Sequence, residues 1–377
     1  MKKILFVTHS LTPDKRIDQE ARSLVGEGYE AYLVCRGKKK DEIPTFYKEI
    51  IYVNLNKKQM AYLPGAVRKV RRKYKEIIER IKPDIIHAND LPVGNIIRKI
   101  IPVGVKFVYD DHEVWDIYYK LYADRTKNWL KKIQRRYLQI IAKSLSRKIM
   151  TQADLVIFVN DYWVHYYEKK GINVNKIISI ENFPRKKDID HALKNEIKVD
   201  DFFLKDKRRK IVTASKFAKL SDDTLRNIDN IAEVANELDD WVIVNFGEPD
   251  EKFDKLGVVS IGFKPRFEFI ASCSMCDIIL NPLILDELMH YSSPNRFFEA
   301  ALLDVRIISS KVKTLMEKFN DLLIWVNTDT SKEEIKIILK NIDEYPSGKE
   351  IKKVASKFIW ENEEKKLIAR YNELLNE

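Results

Sequence analysis

The chain has 377 residues, 45% of them hydrophobic, which is enough for two cores because single cores usually stop growing at about 250 to 300 residues. Its three cysteines are too few for a disulfide framework, and a charged fraction of 33% leaves no apolar run of the about 20 residues that cross a bilayer. The net charge of +11 indicates a polyanionic partner or surface.

The chain opens with MKKILFVTHS, which has two lysines and a short apolar run. It lacks the long hydrophobic region and the small-residue cleavage site of a signal peptide. We therefore expect a first β-strand here and a cytoplasmic protein.

Short apolar runs of β type recur through the first half with amphipathic, helix-length segments between them. They are Ile4–Val7, Tyr32–Val34, Ile50–Val53, Asp84–Ile86, Val105–Val108, Leu155–Val159 and Ile177–Ile180. Continuous apolar strands that alternate with helices predict a parallel sheet covered on both faces.

The same pattern restarts after a polar stretch, for which we predict a linker near 185–207. The second set of strands is Lys210–Thr213, Trp241–Val244, Val258–Ile261, Asp277–Leu280, Arg306–Ile308 and Leu322–Val326. We predict an α/β protein with two Rossmann-like, doubly wound domains, 1–185 and 186–352, that face a central cleft. A helical segment, 353–377, follows the last strand and is expected to pack on either domain.

Polar residues follow three predicted strands of the first half, where ligands of such sheets bind. They are His9 and Ser10 after the first strand, His87 to Asp90 after the fourth, and Asp110 to Glu113 after the fifth. Each histidine alone could be an ordinary loop residue, but three at equivalent strand ends favour a binding site.

Metal sites are the competing interpretation of the histidines and cysteines. His9, His87 and His112 with nearby carboxylates suit zinc or manganese, yet no pair has HxH or HExxH spacing. Cys273 and Cys276 have CxxC spacing without a second pair, and the second of them leads into an apolar strand. We predict no metal site and two cysteines that fill the core.

In the second half, the segment from Tyr291 to Ala300 leads from a strand end into a helix. Ser293 is expected to be the N-cap and Pro294 to lie in the first turn, so that backbone amides form an anion site. Glu299 then lies about one and a half turns into the helix, where its carboxylate can accept hydrogen bonds from a ribose diol. The alternative is an ordinary helix start with a surface glutamate.

Cations for a diphosphate are expected from the first turn and helix of this half. Lys216 follows the first strand, and Arg226 opens the next helical stretch. Both could neutralise a leaving phosphate oxygen. Two basic residues among 68 are weak support by themselves.

Several segments taken together resemble glycosyltransferase family 4. The similar segments follow in the family's order and are Asp14–Ala21, Leu24–Gly28, Pro83–Asp90, Tyr109–Glu113, Ala153–Val156, Glu181–Pro184, Ser293–Ala300 and Val305–Ser309. The strongest of these is Ser-Pro-Asn-Arg-Phe-Phe-Glu-Ala at 293–300, which looks like the family's donor-site helix.

The resemblance implies a GT-B fold and a retaining, metal-independent hexosyltransferase without a cofactor, as used in polysaccharide biosynthesis. Its substrates would be a nucleoside diphosphate sugar and a glycan or lipid-linked acceptor. It implies that His112 faces the transferred sugar, that Lys216 and Arg226 bind the diphosphate, and that Glu299 binds the ribose. The further residues expected on the donor side are Tyr291, Ser292, Ser293, Pro294 and Asn295. Those expected on the acceptor side of the cleft are His9, Ser10, Arg16, His87, Asp90 and Asp111.

This sequence departs from the family pattern in three places. Tyr291 stands where many members have a first glutamate, eight positions before Glu299. Ser215 replaces a usual glycine, and an insertion separates Lys216 from Arg226. Tyr291 in place of that acid suggests a non-catalytic nucleotide-sugar-binding protein as one alternative function, and a nucleotide-sugar epimerase of the same fold is the other.

Much of the positive charge lies in two segments of the first half, 66–82 and 127–148, which interleave basic with apolar or aromatic residues at helical spacing. Such a face can bind anionic lipid headgroups, which would place the protein peripherally at the inner membrane face. The alternative is two ordinary helices with solvated lysines. A nucleic-acid partner would explain the charge but not the paired Rossmann patterns, so none is expected.

Overall fold

The computed structural model describes the chain apart from residues 11–13, 38–43, 61, 195, 214–221, 250, 284 and 377. The chain divides into two units, which we call the first and the second domain. The first comprises Met1–Glu181 together with Glu363–Glu377, and the second comprises Asn182–Asn362. The first domain therefore takes its final residues from the far end of the sequence.

The first domain is built on seven parallel strands. They are β1 Lys3–Val7, β2 Glu30–Cys35, β3 Glu49–Tyr52, β4 Ile85–Asn89, β5 Lys106–Asp111, β6 Leu155–Phe158 and β7 Ile177–Ser179. Their order in the sheet is β3-β2-β1-β4-β5-β6-β7. Residues Ile4 to Val7 of the interior strand β1 are fully buried, as expected for a parallel strand with helices over both sheet faces.

Helices connect these strands. They are α1 Lys15–Gly26, α2 Lys57–Met60, α3 Pro64–Ile81, α4 Leu91–Ile97, α5 Trp115–Asp124, α6 Trp129–Gln152 and α7 Asp161–Glu168. In α1, the Asp14 side chain caps the first turn by accepting from the Arg16 backbone N–H. Ile17, Ala21 and Leu24 recur at helical spacing and are buried, so this face of α1 packs into the core.

The second domain has six parallel strands in the order β10-β9-β8-β11-β12-β13. They are β8 Arg209–Thr213, β9 Trp241–Asn245, β10 Val259–Ser260, β11 Ile278–Asn281, β12 Arg306–Ser309 and β13 Ile324–Trp325. The helices are α8 Lys186–Ala192, α9 Asp201–Lys205, α10 Asp222–Glu237, α11 Glu251–Lys255, α12 Arg266–Cys273, α13 Glu287–His290, α14 Asn295–Ala301, α15 Lys313–Phe319, α16 Lys332–Lys340 and α17 Gly348–Ala355. Cys273 and Cys276 are buried in its apolar core, as predicted.

The two parallel sheets confirm the predicted fold class, and each predicted strand is present. Two strands run further than predicted, because the β4–β5 ladder continues through the pairs His87 with Val108 and Asn89 with Asp110. His87, Asp110 and Asp111 thus lie within strands, which corrects the expectation that they follow strand ends. The segment predicted as a linker contains helices α8 and α9.

The last helix, α18 Trp360–Asn376, begins in the second domain and ends in the first. Its Tyr371 side chain is fully buried, and the hydroxyl group lies 2.5 Å from His87 Nδ1. The Tyr29 hydroxyl donates to Asn372 Oδ1 over 3.0 Å, and the Glu181 backbone N–H donates to Glu363 Oε2 over 2.9 Å. The end of the chain is therefore part of the first domain's interior.

Helix α6 is the longest of the domain, with 24 residues. Among the described residues, no helix combines the length and the hydrophobicity that a transmembrane span requires.

We expect Tyr371→Phe to lower the free energy of unfolding of the first domain by about 1–3 kcal/mol. The change removes one hydroxyl and leaves His87 Nδ1 buried without that hydrogen bond. Urea unfolding followed by circular dichroism measures the effect. Tyr137→Phe, the same change at an exposed tyrosine of the same domain, is the control. Equal midpoints for both variants would contradict the structural role of the Tyr371 hydroxyl.

Candidate functional site

Three strand ends of the first domain bring polar residues together at the carboxyl edge of the sheet. His9 follows β1, Asp90 follows β4 and His112 follows β5. Asp90 Oδ1 accepts from the His112 backbone N–H and from the indole Nε1–H of Trp115, each over 3.2 Å. Asp90 Oδ2 lies 3.6 Å from His9 Nδ1. One carboxylate thus joins the segments that follow three strands.

The backbone around Asp90 and His112 is strained. Asp90 has φ 73° and ψ 158°, a region that is almost restricted to glycine. Val114, a β-branched residue, has φ 45°. Such conformations cost about 1–3 kcal/mol each and persist only where surrounding contacts hold them. The surrounding contacts therefore hold the backbone at the carboxyl edge of this sheet in one conformation.

A buried charge cluster lies beneath this edge. The Arg16 guanidinium contacts Asp110 Oδ1 at 3.3 Å and Glu20 Oε1 at 3.2 Å, and its Nη1–H donates to the Ile180 carbonyl over 2.7 Å. His112 Nε2 lies 2.7 Å from Asp110 Oδ2. Asp110 is therefore shared between a guanidinium and an imidazole.

These contacts set the charge of each group. Burial opposes ionisation of Asp110, but Arg16 and His112 outweigh it and hold the pKa of this carboxyl well below its usual range. Burial likewise disfavours charge on His112, yet the carboxylates of Asp110 and Asp90 raise the pKa of the imidazole to about 10. Burial and the Asp110 charge raise the pKa of Glu20 to about 8. Both shifts favour the protonated forms of His112 and Glu20 at neutral pH, whereas the Arg16 Nε–H, 3.0 Å from His112 Nε2, favours a neutral imidazole.

His9 differs from His112 in its charge. Burial lowers the pKa of His9, although the Asp90 carboxylate acts in the opposite direction. Its ring meets the Trp115 ring edge to face, with the two centroids 5.6 Å apart. His9 is therefore a neutral, half-buried imidazole beside a charged one.

The structure divides the residues expected on the acceptor side into two groups. His9 and Ser10 are half-buried at the edge, and Asp90 lies there with its carboxylate engaged. Arg16, His87 and Asp111 are buried, so their side chains offer no surface to an acceptor. Burial, followed by the charges of Asp90 and Asp116, raises the pKa of Asp111 well above the usual value.

Glu20, His87 and Asp110 could in principle ligate a metal, since one donor atom of each lies within 4.8 Å of the others. The Arg16 guanidinium already contacts both acidic side chains and balances the charge of the ionised Asp110. The donor set therefore suits an internal ion-pair network better than a divalent cation. The expectation of a metal-free site stays a prediction.

In the second domain, α14 begins at Asn295, and Pro294 is its N-cap without a side-chain capping bond. This corrects the prediction that Ser293 is the N-cap, because the chain turns into the helix one residue later. A cavity of about 430 Å³ lies at the start of α14 and at the ends of β8 and β11. This volume falls within the about 300–1,000 Å³ of ligand pockets.

Asn295 and Glu299 both line this cavity. Asn295 Oδ1 is buried and has no hydrogen-bond partner within the described part of the chain. Buried polar atoms of this kind usually have a partner, so a ligand that donates a hydrogen bond would complete the site.

Glu299 is held by an arginine that the sequence analysis did not single out. Arg266 Nη2–H and Nε–H both donate to Glu299 Oε1, over 2.9 and 3.2 Å, and Arg266 Nη1–H donates to Asp188 Oδ2 over 2.6 Å. The Glu299 carboxylate therefore has a fixed orientation. The one signal in the sequence is that Arg266 lies at the start of a helix, and this position does not distinguish it from other arginines.

The segment before α14 is held by neighbouring helices. Lys313 Nζ donates to the Tyr291 hydroxyl over 3.1 Å, and Thr314 Oγ1–H donates to the Ser292 carbonyl over 3.0 Å. The Ser292 hydroxyl donates to the Met289 carbonyl over 3.0 Å. Tyr291, which stands where many family members have a glutamate, thus has a lysine as its neighbour.

The structure does not describe the side chains of Lys216 and Arg226, the two cations predicted to bind the diphosphate. Lys216 falls outside the described residues, and Arg226 belongs to α10, where the described part covers its backbone but not its side chain. Their assignment to the diphosphate stays a prediction.

Residues 15–183 match the family model of Glycosyltransferase Family 4. No curated protein matches the chain in sequence. The fold is similar to that of sucrose-phosphate synthase from Thermosynechococcus elongatus, with a TM-score of 0.67, 14% identity and coverage of 100% of both chains.

Two further solved structures are similar. One is described as trehalose-6-phosphate from E. coli bound with UDP-2-fluoro glucose, with a TM-score of 0.66, 9% identity and coverage of 99% of both chains. The other is UDP-GlcNAc 2-epimerase from Methanocaldococcus jannaschii, with a TM-score of 0.58, 15% identity, and coverage of 94% of this chain and 99% of that one. Residues 15–183, which make up most of the first domain, are therefore similar to Glycosyltransferase Family 4, and the chain as a whole has the GT-B fold of two Rossmann-like sheets.

Proposed function

We propose that this protein is a retaining, metal-independent glycosyltransferase that moves a hexose from a nucleoside diphosphate sugar to a glycan or lipid-linked acceptor. The observation that carries the proposal is Glu299, which lines a cavity of about 430 Å³ and is oriented by two hydrogen bonds from Arg266. The match of residues 15–183 to Glycosyltransferase Family 4 supports transfer as the reaction.

The donor's ribose is assigned to Glu299. A carboxylate can accept hydrogen bonds from two adjacent hydroxyl groups, and such bonds to a charged acceptor are stronger than neutral ones. Asn295 Oδ1, buried without a partner among the described residues, is assigned to a further donor group of the nucleotide. The E. coli structure bound with UDP-2-fluoro glucose supports a UDP-sugar as the first donor to test.

The diphosphate is assigned to Lys216, Arg226 and the segment that leads into α14. Charge grows on the phosphate oxygen as the bond to the sugar lengthens, so fixed cations lower the energy of the transition state more than that of the bound donor. Lys216 and Arg226 follow β8 in the chain, and β8 is the neighbour of β11 in the sheet.

The reaction that we propose needs no enzymic base. The bond between the anomeric carbon and the diphosphate oxygen breaks, and the acceptor oxygen forms its bond on the same face of the sugar. The acceptor proton passes to the departing phosphate oxygen, which conserves charge and retains the configuration. No metal or resident cofactor takes part in this scheme.

His112 is assigned to the transferred sugar as a hydrogen-bond donor. Its pKa of about 10 keeps the imidazole protonated at neutral pH, so it cannot remove a proton there. A charged donor would instead stabilise an oxygen atom of the sugar or phosphate. This assignment agrees with a mechanism in which the leaving group accepts the proton.

A second candidate function is epimerisation of a nucleotide sugar. The similarity to UDP-GlcNAc 2-epimerase favours it. A third candidate is a protein that binds the nucleotide sugar without turnover, which Tyr291 in place of a glutamate would suit.

Thermal shift with a panel of nucleotide sugars identifies the donor, because a bound ligand raises apparent stability.

Product analysis then separates the three functions. A glycosyltransferase releases nucleoside diphosphate faster when an acceptor is present, an epimerase changes the sugar without an acceptor, and a binding protein gives no product. Release that no acceptor accelerates, together with a changed sugar, would refute the proposed transferase.

We expect Glu299→Gln to weaken binding of the nucleoside diphosphate about 10- to 100-fold, because hydrogen bonds to a charged acceptor contribute about 1.5–3 kcal/mol. Isothermal titration calorimetry measures the affinity. Glu317→Gln, at an exposed position of the same domain, is the control. Unchanged affinity in a folded Glu299→Gln protein would remove this residue from the donor site.

Lys216→Ala is expected to lower the turnover number by about 10²- to 10³-fold, the usual loss when one stabilising donor of a transition state is removed. The rate of nucleoside diphosphate release under saturating donor gives the value. Lys340→Ala, in the same domain on α16, controls for loss of a positive charge. Equal turnover in both variants would exclude Lys216 from catalysis.

We expect the His112 imidazole to titrate at a pH of about 10. Because this pKa is raised above the ordinary 6.5, the contribution of the charged form to stability is complete below pH 6.5 and is lost as the pH rises through about 10. Nuclear magnetic resonance of ¹⁵N-histidine-labelled protein measures the titration, and His112→Gln identifies its signal. A midpoint near 6.5 would make His112 a possible base and contradict the proposed role.

A further inference from the structure

The first three turns of α6 pack against α5 and place no side chain in the buried core of the domain. The buried residues of this helix are Ala142, Ser146, Ile149 and Met150, all in its second half. The helix extends for about 36 Å at about 1.5 Å per residue. About half of that length therefore carries side chains that the core does not cover.

The side of this half that faces away from α5 presents large apolar side chains to solvent. Their exposed fractions are 67% for Trp129, 59% for Leu130, 58% for Ile133, 59% for Tyr137 and 70% for Ile140. At about 100° per residue these five positions fall within an arc of about 100° on one side of the helix. We call them the apolar row. Single exposed apolar residues are ordinary, but a contiguous row marks an interaction surface.

The charge of α6 restricts the partner. The helix contains seven basic residues and no acidic residue, and the basic residues are Lys131, Lys132, Arg135, Arg136, Lys143, Arg147 and Lys148. A second copy of this surface would bring like charges together, which disfavours self-association through it. The partner must be anionic and must accept apolar side chains.

The apolar row leads into a basic cavity. A cavity of about 690 Å³ lies between the end of α4 and the second half of α6. Its basic lining residues are Arg98, Lys99, Lys143, Arg147 and Lys148, and Ile140 of the apolar row lines it too. Within the described part of the chain, none of these five cations has a carboxylate oxygen within the 4.0 Å of an ion pair, in contrast to Arg136, which pairs with Asp124.

Helix α3, the other basic segment, lies on the same side of the sheet, since α4 packs against both α3 and α6. Its apolar residues are directed inward, with Val67, Val70, Tyr74 and Ile78 buried. Its exposed face carries basic residues, two of which pair with Glu76 and Glu79, and large apolar side chains are not exposed along this helix. The two segments predicted to contact a membrane, α3 and α6, thus pack on the same helix α4. Of the two, only α6 exposes large apolar side chains.

We propose that this side of the first domain docks onto an anionic lipid bilayer. The apolar row of α6 inserts among the lipid chains at the interface, the basic cavity binds lipid phosphates, and α3 stays at the level of the headgroups. Apolar insertion combined with basic residues is the pattern by which interfacial helices bind anionic membranes. This proposal goes beyond the transferase activity and does not depend on it.

The test is cosedimentation of the full chain with vesicles. Vesicles of phosphatidylcholine alone are compared with an equimolar mixture of phosphatidylcholine and phosphatidylglycerol. We expect binding to the mixed vesicles that weakens with added salt, and little binding to the neutral ones.

Two pairs of variants separate charge from insertion. Lys143→Gln with Arg147→Gln and Lys148→Gln should lower binding about 100-fold, since each basic residue near an anionic surface contributes about fivefold. The matched control, Lys349→Gln with Lys352→Gln and Lys353→Gln, removes the same charge from α17 and should lower it much less. Trp129→Ser with Ile133→Ser should lower binding about tenfold or more, whereas Val103→Ser with Ile337→Ser, at exposed positions elsewhere, should not.

Three results would overturn the proposal. One is equal binding to neutral and anionic vesicles. The second is an equal loss of binding in each variant and its control. The third is a stable dimer in analytical ultracentrifugation that Trp129→Ser with Ile133→Ser dissociates, which would make the apolar row a contact between copies of the chain. The substituted residues are exposed, so the variants should remain folded, and their thermal unfolding checks this.

Discussion

Arg16 connects three separate parts of the first domain beneath the edge of its sheet. Its guanidinium contacts Glu20 on the same helix, Asp110 on β5 and the carbonyl of Ile180 after β7. Taking charges out of water costs several kcal/mol per ion, so this arrangement is tolerated only because Arg16 and Asp110 compensate each other. The ionised Asp110 in turn holds the proton on His112. The charge at the edge of the sheet is thus set by residues that a ligand would not touch.

The second domain places an arginine in a comparable position. Arg266 binds Asp188 on α8 and Glu299 on α14, so it fixes the orientation of the carboxylate at the cavity. Both domains therefore use a guanidinium to hold an acidic side chain near the carboxyl ends of parallel strands. In the first domain the pair is buried, whereas Arg266 remains partly exposed beside an open cavity.

The fold could be predicted from the sequence because buried parallel strands are continuous apolar runs, such as Leu155–Phe158, that charged segments interrupt. The arrangement of the candidate site was harder to predict from the sequence. His87 and Asp110 are polar residues inside strands, and only tertiary contacts such as that with Arg16 explain their burial. Arg266 is 33 residues from Glu299 in sequence, and no local pattern predicts their contact. In the sequence the apolar row of α6 is also indistinguishable from a face that packs into the core. Only the fold shows that its side chains are exposed.

The return of α18 to the first domain has a consequence for biosynthesis. Domains generally fold as units, with the N-terminal one first as the ribosome extends the chain. Here the first domain lacks Tyr371, the partner of His87 deep in its interior, until the second domain has been translated. The second domain is encoded entirely within that interval. It can therefore mature on the ribosome before the first domain, which stays incomplete until α18 has emerged.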